Sequence, residues 1–238
     1  LALWASSPAY SNVFKDYFHS YDKNIADFIV NKSPPKIYNS VDLDADAKRL
    51  IEDGYDLLGS SSFIGPQTDQ KNAINLAKKI HSEIVIINYR FVERVSGGTR
   101  IVMMPVIGGY GGMIGGAHPM SFDRYEQTAL FFAKLAPEKI GWGVRWDPLT
   151  TQQATATGSA KGVSVRAVVR GSPAFDANVL SGDIILTLAG EDISTPERLL
   201  KVKADYAGQS VPLSIIRAGQ PQTLQLRLPA LAAGQTKK

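Results

Sequence analysis

Apolar residues recur along this chain at two spacings, and the change from one to the other outlines its elements. From Asp42 the positions Leu43, Ala47, Leu50 and Ile51 share one face at helical spacing, and Gly54 supplies the stop, so a helix is predicted there. Residues 55–63 then read as a strand. Gly65-Pro66 marks a turn, after which Thr68 or Asp69 can cap a second helix that carries Ala73, Ile74, Ala77 and Ile80 on one side, with Lys78, Lys79 and His81 at its C-terminal end. Segments 84–92 and 128–132 are dense in β-branched and aromatic residues, as paired strands are. The order helix, strand, helix, strand, strand predicts a two-layer α/β domain over 41–137, with its helices on one face of a small, mainly antiparallel sheet. An irregular leader over 1–40 precedes it and ends in a short strand after Ser33-Pro34-Pro35.

Between the last two strands, from about 94 to 122, glycine pairs recur at 97–98, 108–109, 111–112 and 115–116, which predicts a flexible hairpin loop. A phosphate cradle does not fit, because no Gly-Lys-Ser/Thr follows and the stretch runs into His118-Pro119. A partner surface is the other reading, since Ile107, Tyr110, Met113 and Ile114 would be apolar and exposed. Beyond Pro137 the pattern changes to short strands over 163–169, 183–188, 211–217 and 223–228, with helices over 172–179 and 195–206. This predicts a small β-rich barrel with two helices over 138–230, followed by a tail over 231–238. The fold class is therefore α+β.

Composition narrows the function classes. The 238 residues hold no cysteine, which removes disulfides, thiolate metal sites and cysteine nucleophiles together. A net charge of +4 invites a nucleic-acid reading, but the basic residues are spread along the chain and balanced by acidic ones through residue 137, so no basic stripe forms. No apolar run has the length of a transmembrane helix. The start, Leu1-Ala2-Leu3-Trp4-Ala5 followed by Ser7-Pro8-Ala9, has the spacing of an export-signal cleavage site, and equally that of an ordinary apolar terminus.

Candidate chemistry is sparse. Ser60, Ser61 and Ser62 follow Gly59 without the second glycine of a nucleophile elbow and sit inside a strand pattern. Ser20-x-x-Lys23 and Ser33-x-x-Lys36 match a Ser/Lys dyad by spacing, but Pro34 and Pro35 forbid the helical turn in the second, and no companion motif is present. His19, His81 and His118 have no metal-binding spacing, and Asp42, Asp44 and Asp46 lack the glycine and glutamate of a calcium loop. No catalytic residue, metal or cofactor is expected.

The run Gly171-Ser172-Pro173-Ala174-Phe175-Asp176-Ala177-Asn178-Val179-Leu180-Ser181-Gly182-Asp183-Ile184-Ile185-Leu186, with Gly190 after it, resembles the PDZ domains of the HtrA and DegP family. Its one departure is Asn178 where that family usually has glycine, a mild change because asparagine also tolerates the left-handed conformation. The resemblance covers about ninety residues, 138–230. It implies a carboxylate-binding loop and groove for peptide strands, with Ile140, Gly141, Trp142, Gly143, Val144 and Arg145 on the loop side and Leu200 on the helix side. The glycines suit such a loop because converging backbone N–H groups need an approach free of side chains. Residues 1–137 contain no Gly-Asn-Ser-Gly-Gly motif and are too few for a two-barrel protease, so the resemblance implies a PDZ domain with no protease carried alongside it in these residues. The preceding segment looks like proteobacterial envelope proteins that pair such a region with a PDZ domain. The expectation is a non-enzymatic adaptor in the periplasm or on the envelope, exported or lipid-anchored, that takes protein or peptide C-termini as partners. The rival is a hydrolase or protease regulatory subunit using the PDZ domain to deliver substrate.

Overall fold

The computed structural model describes residues 12–31, 33–105, 113–158, 161–193 and 195–230. The possible signal stub at 7–9, the middle of the glycine-rich segment and the tail at 231–238 lie outside them. In chain order the first elements are α1 (Val13–Asp16), β1 (Phe18–Ser20), a 3-10 turn (Ile25–Asp27), β2 (Lys36–Asn39), α2 (Leu43–Glu52), β3 (Tyr55–Pro66), α3 (Gln70–Lys79), β4 (Ile84–Pro105) and β5 (Met113–Lys134). There follow α4 (Pro137–Ile140), β6 (Val144–Pro148), α5 (Thr151–Thr157), β7 (Val163–Val168), α6 (Pro173–Asp176), β8 (Ile184–Leu188), β9 (Glu191–Asp192), α7 (Pro196–Asp205), β10 (Ser210–Arg217) and β11 (Gln220–Arg227). The fold is α+β. It divides into two compact units, one built from residues up to Asp22 with Asn31–Leu43 and Leu57–Phe132, the other from Lys23–Val30, Asp44–Asp56 and the residues from Ala133 onward.

The first unit is a two-layer arrangement on a sheet ordered β1-β3-β5-β4-β2, antiparallel except where β2 runs parallel to β4. Phe14 of α1 and Ala73, Leu76 and Ala77 of α3 pack on Phe63, Val85, Ile87, Ala129 and Phe131 of the sheet. Of the two possible caps for α3, Asp69 is the one used, its carboxylate accepting the Lys71 N–H at 2.8 Å. The neighbouring Thr68 N–H goes to the buried Gln127 side chain, which also donates to the Pro66 carbonyl at 2.9 Å and so fixes the turn into the helix.

The glycine-rich stretch departs from expectation. β4 and β5 form one ladder that continues through Arg100↔His118 to Pro105↔Met113, so most of the segment expected as loop is paired strand. Gly97-Gly98 sits at a register shift within that ladder, with Gly98 at φ +88°, which is the role of a bulge glycine and not of a loop tip. Register partners carry opposite charges: Arg94 grips Asp123 through two bonds of 2.6 and 3.0 Å, Arg124 meets Glu93 at 2.6 Å, and Arg90 pairs with Glu126. Phe91, Met120 and Phe122 are exposed on this hairpin.

In the second unit five strands run in the order β11-β10-β8-β7-β6, with β9 paired to β8. The expected barrel is an open sheet in hydrogen-bonding terms, since β6 and β11 end the path without pairing to each other among the described residues. Its core is Val163, Val165, Ile185, Leu188, Leu213, Ile215 and Leu226 from the strands, with Leu199 and Val202 from α7. Ser172 caps α6 and Pro173 occupies its first position, as the sequence indicates. The helix ends in a Schellman pattern: Asn178, at φ +62°, donates to the Phe175 carbonyl and Val179 to the Ala174 carbonyl, each at 2.9 Å. Just beyond, the buried Asp183 accepts the Leu180 N–H at 2.8 Å and a two-pronged grip from Arg217 at 2.8 and 2.7 Å, and Arg217 also donates to the Asn178 carbonyl.

Two helical features of this unit go beyond the sequence reading. Helix α5 lies between β6 and β7, where none is expected. Helix α2, expected within the domain over 41–137, groups with the second unit, held by the Arg170 N–H on the Glu52 carbonyl at 2.8 Å and by the Arg170 guanidinium on Glu52 and Asp53.

Candidate functional site: the groove beside strand β6

The loop that leads into β6 is shaped by two glycines with different roles. Pro137 starts α4, and Gly141 ends it at φ +65°, ψ −133°, in open space, so only its backbone conformation calls for glycine. Gly143, at φ +89°, calls for glycine twice, because a Cβ there would lie 1.9 Å from Ser172 Oγ. Backbone bonds hold the loop from behind: the Trp142 carbonyl accepts the Ala174 N–H at 2.9 Å, and the Gly143 carbonyl accepts the Val169 N–H at 2.8 Å. Gly143's own N–H reaches back to the Ile140 carbonyl at 3.2 Å, a long bond that a stronger acceptor could displace.

β6 pairs with β7 along one edge, and it ends the sheet's strand path on the other. A terminal strand presents alternate N–H and C=O groups to whatever lies beside it, and here a groove of about 320 Å³ does, with α7 as its far wall. Of the residues expected in this site, Ile140, Gly141, Trp142, Val144, Arg145 and Leu200 line the groove. Gly143 does not; it packs against Ser172. Trp142 is only 4% exposed, its indole belonging mostly to the core, whereas Leu200 is 51% exposed. Leu199 and Val202 face the core, so α7 divides its apolar residues between the two sides, as its two apolar edges suggest.

Lys139, Trp146, Arg166, Leu199 and Lys203 also line the groove and are not singled out by the sequence reading. Lys203 follows Leu200 by one helical turn, which is the signal that could have found it. Its ammonium is held below the ordinary lysine range, first by burial and second by the positive charge of Arg145. Lys139 pairs with Asp27 at 2.6 Å and Arg166 with Asp147 at 3.6 Å.

The serine candidates sit in strand surroundings. Ser61 is buried and donates to the Phe14 carbonyl at 2.6 Å, Ser60 Oγ is 3.2 Å from the Tyr21 hydroxyl, and Ser62 Oγ is 2.9 Å from Thr128 Oγ1. Ser20 Oγ accepts the Asp22 N–H, and Lys23 pairs with Asp56 at 2.9 Å. Asp46 pairs with Arg49 at 3.1 Å. No helix among the described residues is long and apolar enough to cross a membrane.

Residues 142–228 match the family model of the PDZ domain. A probable periplasmic serine endoprotease, DegP-like, of Bartonella henselae is 26% identical over 132 residues, 54% of this chain and 26% of that protein. The serine protease Do-like HtrA of Bacillus subtilis is 37% identical over 70 residues, 29% of this chain and 16% of that protein. The chain thus spans about a quarter or less of the length of these relatives. Among solved structures, an HtrA-type protease AlgW with decapeptide is 26% identical with a TM-score of 0.34, over 43% of this chain and 37% of that one.

Proposed function

We propose that this chain, whose residues 142–228 are a PDZ domain related to those of the HtrA proteases, captures the C-terminal or extended segment of a partner protein and acts as a non-enzymatic adaptor of the cell envelope. The observation that carries the reading is the coincidence of an open sheet edge at β6, an apolar residue presented by α7 at Leu200, and a glycine loop at the groove's end. Each contributes a separable part of the binding energy. Main-chain bonds to β6 set the register of an added strand, an apolar side chain buried over Leu200 contributes roughly 1.5–3 kcal/mol, and charged hydrogen bonds from the loop to a terminal carboxylate contribute a similar amount. After the cost of ordering a flexible peptide, micromolar affinity, about 8 kcal/mol, is expected.

The periplasmic relatives support placement in the envelope. They are also named as proteases, which keeps a hydrolase or its regulatory subunit as the second reading. The bonding of Ser20, Ser60, Ser61 and Ser62 supports the adaptor, since among the described residues each bonds to a carbonyl, a hydroxyl or a backbone N–H and none to a basic side chain. The test is a screen of the full chain against displayed C-terminal and internal peptides, repeated with Leu200→Glu, together with a fluorophosphonate probe. Binders weakened at least about 10-fold by Leu200→Glu support the groove. Probe labelling lost on replacing Ser60, Ser61 or Ser62 overturns the non-enzymatic reading.

A further inference from the structure

The groove's lining is unbalanced in charge. Lys139, Arg145, Arg166 and Lys203 border it, and no acidic residue does. Lys139 and Arg166 are matched by Asp27 and Asp147. Arg145 on β6 and Lys203 on α7 stand in no ion pair among the described residues, although they face the same cleft from opposite walls. Two like charges across a groove that partly excludes water raise each other's free energy; the Lys203 ammonium is disfavoured first by its burial and second by the Arg145 charge facing it. Such a site gains more from an anionic occupant than from a neutral one of the same shape.

We infer that the peptide accepted by this groove carries an acidic side chain two residues before its apolar anchor, seated between Arg145 and Lys203. This rests on the peptide-binding reading above and adds the ligand's charge to it. The spacing follows from the walls. Leu200 and Lys203 are three residues apart on α7, about 4.5 Å along its axis, and side chains on one face of a strand repeat every ~6.6 Å. An anchor over Leu200 therefore brings the next side chain on the same face of the added strand, two residues away, within reach of the flexible Lys203 stem. A carboxylate there restores the charge balance and becomes partly buried on binding, where an ion pair is worth more than at the surface.

The full chain is titrated with fluorescein-labelled nonapeptides of one sequence, with free carboxylates and the same apolar terminal residue, that carry Glu, Gln or Lys two residues before that terminal residue. The glutamate peptide is expected to bind about 5–10-fold tighter than the glutamine peptide and the lysine peptide more weakly than both, with the differences shrinking at high salt. In Arg145→Gln/Lys203→Gln, its folding verified by thermal melting, the glutamate-to-glutamine ratio is expected to fall below about twofold. Three peptides that bind within twofold of one another overturn the inference and leave the peptide-binding reading standing. Absence of binding by all three overturns that reading and the inference with it.

Discussion

The α-carbon of Gly143 faces the Ser172 side chain so closely that a methyl group on it would fall 1.9 Å from Oγ and 2.1 Å from Cβ. The loop leading into β6 and the serine that caps α6 are thus one packing unit. Gly143→Ala is expected to destabilise the fold by roughly 2–5 kcal/mol, combining the cost of a positive φ with overpacking. Ser172→Gly removes the obstructing side chain at a capping cost of only a few tenths of a kcal/mol. The double variant should then be more stable in urea titration than the sum of the single changes by at least about 1 kcal/mol. Simple additivity would show that the two positions do not touch.

Asn178 closes α6 at φ +62°. Asn178→Gly should be neutral or slightly stabilising, and Asn178→Val should cost about 1–2 kcal/mol, because a β-branched residue resists the left-handed region. Equal melting of Asn178→Val and the parent would contradict the cap.

Asp183 is buried and its carboxylate is held by Arg217 and the Leu180 N–H. Arg217→Met, which leaves that carboxylate without its partner, should cost about 3–5 kcal/mol. Replacing both residues with apolar ones should recover a large part of the loss. A double variant no better than the single one would mean that the carboxylate's bond to Leu180 matters more than its charge balance.

Burial and Arg145 lower the Lys203 pKa, so its protonated form opposes folding below the folded-state value, and the penalty lifts as pH rises through that value toward the unfolded one. Lys203→Met is therefore expected to melt higher than the parent at pH 7, with the difference shrinking toward about pH 10–11, where the unfolded lysine also loses its proton. A difference independent of pH would assign the effect to packing alone.

Much of this was legible in the sequence, unevenly and for physical reasons. Local chemistry showed through: Ser172-Pro173 starting α6, Asn178 ending it, Asp69 among the caps for α3, and the division of α7 between Leu199 and Leu200. Helix α5 does not stand out by periodicity although its marks are present, a capping box between Thr150 and Gln153 and a left-handed Gly158 after it, because its threonines and alanines give no apolar stripe. The length of the β4–β5 hairpin is hidden in the sequence by its glycine density, because the pairing depends on register. The ion pairs of Arg94 with Asp123 and Arg124 with Glu93 become visible only once that register is known. The same limit hid Lys203, whose importance comes from Arg145 across the cleft, more than fifty positions away in the chain.

Capture of a chain end by the groove between β6 and α7 is tested most directly by the fluorescence anisotropy of one binding peptide on the full chain, compared between the free carboxylate and the amidated form. Micromolar affinity is expected for the acid, with a loss of about 10-fold or more on amidation, one decade being 1.4 kcal/mol. Equal affinity for the two forms would contradict capture of a terminal carboxylate by the glycine loop.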